Sequence, residues 1–134
     1  MTDVFVDTSG FYALLDATDT FHREAALLFS QAAASDWTLH TTNYVIVEST
    51  ALIQARLGWD ALDAWTRRVL PHCRIGWVTP ELHQRGESRW VHTRERRLSL
   101  TDCISFEYMR EHNITNAIAQ DEHFTRQGFS KPTG

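Results

Sequence analysis

Short apolar runs alternate with longer helical stretches along almost the whole chain, and this alternation restricts the architecture more than any other feature. Val4-Phe5-Val6, Trp37-Thr38-Leu39-His40, the stretch from Arg74 to Val78 and that from Asn116 to Ala119 each read as a strand. Strands joined through crossover helices pair in parallel, and the helices cover both faces of the sheet. The pattern predicts a three-layer α/β/α fold around a central, mainly parallel sheet of four to five strands, with Phe129 opening the marginal fifth.

The helical segments carry their own punctuation. Phe21, Ala25, Leu28, Phe29 and Ala32 recur at spacings of three and four, which predicts a helix over 21–34. Thr42 or Asn43 caps a helix that Gly58 closes near Leu57. That helix is apolar on nearly all sides and is expected to be buried. Trp59 to Leu70 follows, with Leu62, Trp65 and Val69 on one face, then a polar helix from Pro80 to about Arg97. Ser99-Leu100-Thr101-Asp102 opens another that reaches Glu111, and a short helix leads to Gly128. The 134 residues, 43% of them hydrophobic, suffice for one packed core, and no linker or repeat interrupts them, so residues 1–134 are read as a single domain. No run is long enough to span a bilayer and Met1-Thr2-Asp3-Val4 has no secretory character, so a cytoplasmic protein without membrane contact is expected. Cys73 and Cys103 stand alone and the seven histidines lack a metal-binding spacing, which speaks against zinc.

Charge points in two directions. A formal net charge of −4 argues against binding nucleic acid by bulk charge. Arg94, Arg96 and Arg97 nevertheless form a local basic cluster, which reads either as a solvated helix face or as a contact for a phosphate backbone.

Four acids, Asp7, Glu48, Asp102 and Asp121, occupy places where charge is usually avoided. Asp7 and Asp121 follow strands, at the edge where parallel sheets bind ligands. Each could instead cap the helix after it, and His123 reads as a surface or cap histidine. Glu48 interrupts an apolar helix, where an ionised carboxylate needs a partner; that partner is either a bound cation or a basic group such as Arg56. Asp102 completes a near capping box with Ser99 and suits the helix dipole. Four carboxylates gathered in one cleft are the usual means of holding Mg²⁺ or Mn²⁺.

Val6-Asp7-Thr8-Ser9, Glu48 within its apolar helix, Leu100-Thr101-Asp102, and Ala119-Gln120-Asp121-Glu122-His123-Phe124 together resemble the PIN-domain family, and the compact size is similar to its VapC-type toxins. The resemblance implies Mg²⁺- or Mn²⁺-dependent endoribonuclease activity. It maps the acidic quartet onto Asp7, Glu48, Asp102 and Asp121, with Thr8, Ser9 and Thr101 in support. It further implies a VapB-like antitoxin partner and a homodimer. A groove between the helices over 44–57 and 59–70 could accept an antitoxin helix, although a stripe such as Leu62, Trp65 and Val69 reads more readily as ordinary core. Other readings are a housekeeping RNA-processing nuclease and a non-catalytic RNA- or protein-binding module of the same fold. Asp7-Thr8-Ser9 lacks the second acid, two residues on, that a phosphatase with an aspartyl-phosphate intermediate would use.

Overall fold

Val4, Phe5 and Val6 are wholly buried, and their strand has a neighbour on each side. In the computed structural model, which describes residues 2–120 and 122–133, this is the central strand β1 (Thr2–Val6). It pairs in parallel with β2 (Trp37–Thr42) and β4 (Asn116–Ile118), and β2 pairs in parallel with β3 (Cys73–Gly76), giving the order β3-β2-β1-β4. Between the strands run α1 (Thr8–Leu15), α2 (His22–Ala34), α3 (Asn43–Arg56), α4 (Trp59–Ala64), α5 (Pro80–Thr93) and α6 (Leu100–Glu111), with α7 (Glu122–Arg126) after β4.

Two aromatic groups organise the core. Phe5 packs on Tyr108 of α6 and Phe124 of α7, and Phe106 and Phe129 complete that side. Phe11 of α1 meets Phe29 of α2 and, edge-on, the fully buried Trp65. Two glycines let helices come close. A Cβ on Gly10 would lie 2.4 Å from the Ile118 carbonyl oxygen, so α1 can sit this tightly on the end of β4 only without a side chain there. On Gly86 a Cβ would lie 2.4 Å from the Ile104 side chain and 3.0 Å from its Cα, which sets the α5–α6 approach.

Several expectations need correction. The fifth strand is reduced to one bridge between Asn116 and Ser130, held by Ala117 N–H on the Ser130 carbonyl and Ser130 N–H on the Thr115 carbonyl, each at 2.8 Å. Gly128 turns the chain at φ 92 just before it, and Pro132 just after it has no N–H to extend a ladder. The helix from Pro80 stops at Thr93, because Arg94 takes a left-handed conformation (φ 52), so Arg94, Arg96 and Arg97 lie in a loop and not on a helix face. α3 is not buried all round. Val45, Ser49 and Ile53 form its buried stripe, while Val47 is 69% exposed and Ala51 and Ala55 are exposed. The stretch from Trp59 does not continue as one α-helix. It loosens into a π-helical turn over Trp65–Val69 and a 3-10 turn over Leu70–His72, where Pro71 cannot donate to an α-helical ladder. Leu62 and Trp65 are core, and Val69 packs against it. Among the described residues no helix is long and apolar enough to cross a membrane.

Candidate metal centre at the sheet's carboxyl edge

Asp7 divides its carboxylate between two tasks. As the N-cap of α1, its Oδ2 accepts from the Ser9 hydroxyl at 3.0 Å and the Ser9 N–H at 3.5 Å. Its own N–H donates to the Ile118 carbonyl at 3.2 Å, which fixes it across the β1–β4 seam. Its other oxygen, Oδ1, is buried and has no hydrogen-bond partner among the described residues. The cap and ligand readings are therefore compatible, each using one oxygen. Burial, then the nearby charges of Asp102 and Glu48, push the Asp7 carboxyl up from 3.8 to about 7.

Asp102 closes a full capping box: Ser99 N–H donates to its Oδ2 and its own N–H donates to the Ser99 hydroxyl, both at 3.0 Å. This structural role coexists with the buried carboxyl's strong influence on Asp7. Glu48 reaches the same locality from α3, half-buried, and also acts on Asp7 through space. Arg56, its alternative partner, is exposed and lies 5.9 Å over the Tyr12 ring.

Small hydroxyls tie these elements together. The Ser9 hydroxyl that donates to Asp7 also accepts from Gln120 N–H at 2.9 Å, linking α1 to the residue before Asp121. Asp121 itself lies outside the described residues. Thr8 is buried and its hydroxyl accepts from the Ser49 hydroxyl at 3.2 Å, locking α1 to α3 beside Glu48. The reading of the sequence passed over Ser49, although a polar pair with Glu48 inside an apolar helix was a visible signal. Thr101 is half-buried in the first turn of α6. His123 is buried, not a surface residue, with Nδ1 3.7 Å from Glu95. Arg94, Arg96 and Arg97 are all exposed in the loop between α5 and α6.

Among the described residues no three His, Cys, Asp or Glu side chains form a ready-made metal cage. The fit to a cation rests on Asp7: a buried carboxylate oxygen without a donor among the described residues, in a field that opposes its charge, is stabilised by a positive ion. Mg²⁺ keeps several of its waters, so the surrounding carboxylates can act through water as well as directly.

The PIN domain family description matches residues 4–130. A 23S rRNA-specific endonuclease of Mycobacterium tuberculosis, VapC20, is 35% identical over 127 residues in each of two strains, covering 94% of this chain and 95% of the relative. The crystal structure of Mycobacterium tuberculosis VapC20, described as a Sarcin-Ricin loop cleaving toxin, has a TM-score of 0.83 at 34% identity over 94% of this chain and 95% of that one. PAE2754 from Pyrobaculum aerophilum has the same fold, with a TM-score of 0.60 at 20% identity over 96% of this chain and 87% of that one.

Proposed function

The chain belongs to the PIN-domain family, and from that premise we propose that it is a metal-dependent endoribonuclease, the toxin of a toxin–antitoxin pair, acting in the cytoplasm as one catalytic domain over residues 1–134. The observation that carries the chemistry is the buried Oδ1 of Asp7, without a hydrogen-bond partner among the described residues and in the electrostatic field of Asp102 and Glu48. Asp7, Asp102 and Asp121 would hold Mg²⁺ or Mn²⁺, and Glu48 would complete the pocket. When bound, such an ion lowers the pKa of water and offsets the charge that develops on a phosphate.

The chain's own groups supply the rest. Ser9 occupies Oδ2 of Asp7 and so leaves Oδ1 for the ion. The Ser99 box fixes Asp102 at the head of α6, where the helix amides offset part of its charge. Thr101 supports that turn. The Thr8–Ser49 bond holds Glu48's helix in register with α1. Glu48, half-exposed to solvent, orients the attacking water and accepts its proton. The exposed Arg94, Arg96 and Arg97 contact the RNA backbone.

The specificity of the relative makes ribosomal RNA the first substrate to test. The same likeness favours a toxin over a housekeeping nuclease and implies a VapB-like antitoxin. Val47 and Trp59, 69% and 70% exposed on α3 and α4, support a protein-binding face for that antitoxin or for a homodimer. The buried Leu62 and Trp65 do not. Incubation of ribosomal RNA with the protein and Mg²⁺ or Mn²⁺ should give discrete fragments, lost with chelator and lost in Asp7→Asn. Cleavage that persists in Asp7→Asn, or that needs no metal, would sink the mechanism.

A further inference from the structure

The loop between α5 and α6 is anchored to α7 by its one acid. Glu95 lies 3.7 Å from His123 Nδ1 and 3.7 Å from the Arg126 guanidinium of α7. With Glu95 engaged there, Arg94, Arg96 and Arg97 present their charge to solvent. An open groove of about 380 Å³ runs beside them, lined by Trp90, Val91, Arg94, Glu95, Arg96 and Leu98. Trp90 is 41% exposed in the last turn of α5, and its carbonyl accepts from the N–H of the left-handed Arg94. Leu98, which also lines the groove, precedes Asp102 by four positions, so chain geometry keeps it within about 14 Å of that residue.

An exposed indole that lines one groove with two arginines is a combination that single-stranded nucleic acid fits. The bases stack on the aromatic ring and the phosphates meet the cations. A duplex has no free base face to offer, and an acidic protein segment would leave the indole unused. We propose that this groove is a subsite for single-stranded RNA flanking the scissile bond, in which Trp90 stacks on a nucleobase while Arg94 and Arg96 hold neighbouring phosphates. The inference rests on the ribonuclease reading and adds to it a residue that would favour unpaired over paired RNA.

The test measures binding apart from cleavage. Anisotropy of a fluorescein-labelled single-stranded oligoribonucleotide is followed on Asp7→Asn protein, with and without Trp90→Ala, Trp90→Phe and the double change Arg94→Ala/Arg96→Ala. Trp90→Ala should weaken binding about tenfold and Trp90→Phe by no more than about threefold, as stacking of a single base requires. The double arginine change should lower the slope of log K against log salt by about 1.4. Equal affinity in Trp90→Ala and its parent, an equal loss in Trp90→Phe, or an unchanged salt slope would each overturn the subsite. Cleavage of the same RNA by the unsubstituted protein with Mn²⁺ is scored separately. RNA that binds through Trp90 yet is never cut defeats the nuclease reading and leaves the subsite standing.

Discussion

At the scale of single residues, Asp7 is caught between burial and function. Its carboxyl titrates near 3.8 when unfolded and near 7 in the metal-free fold. Between those values the folded state binds more protons than the unfolded one. The fold is therefore favoured at low pH and loses that advantage as pH rises from about 4 to about 7, by on the order of 4 kcal/mol in all. In chelator, the melting temperature should fall between pH 5 and pH 8. Asp7→Asn should flatten that fall and melt several degrees above the parent at pH 8; a parallel fall in both proteins would contradict the assignment. Ser9 is the complementary case, since its hydroxyl serves both Asp7 and Gln120 N–H. Ser9→Ala should cost about 1–2 kcal/mol of stability and lower RNA cleavage at least tenfold. Cleavage unchanged within twofold would reduce Ser9 to a structural cap. Asp7 and Asp102 were legible as misplaced charges, but sequence could not choose between cap and ligand, because both carboxyls also cap helices. Ser49 was visible as a polar residue beside Glu48, but its bond to Thr8 was not, because the two lie 41 positions apart.

At the scale of elements, the site depends on how closely α1 rides over β4. Gly10→Ala would set a methyl group against the Ile118 carbonyl, a backbone atom that cannot swing aside. The expected loss is about 2–3 kcal/mol, with cleavage reduced because Asp7 and the segment after β4 are pushed apart. A melting temperature within a degree of the parent would show that the α1–β4 seam yields to a methyl group. Element ends were the least legible part. Nothing in the arginine-rich run after Pro80 marks a stop, since Arg94 adopts the left-handed conformation without being glycine. α3 misled for the opposite reason. Its outward Val47 is as apolar as its buried Val45, and periodicity cannot separate a core face from an exposed one when both are hydrophobic.

At the scale of the whole molecule, the parallel order β3-β2-β1-β4 was readable because strand–helix alternation leaves few topologies. The same rule brings Asp7 and the end of β4 to one edge. The fifth strand failed at the point where Gly128 and Pro132 flank a single bridge. The placement of the arginine loop, set by Glu95 reaching across to α7, belongs to tertiary structure alone.

The central claim is that these carboxylates converge to hold a divalent ion, with the buried Asp7 oxygen at its heart. Titration calorimetry with Mn²⁺ at pH 7, repeated in buffers of different ionisation heat, tests it most directly. With the Asp7 carboxyl near 7, binding should release about half a proton, and both the heat and the proton should vanish in Asp7→Asn. Absence of Mn²⁺ binding by the parent, or undiminished binding and proton release in Asp7→Asn, would contradict it.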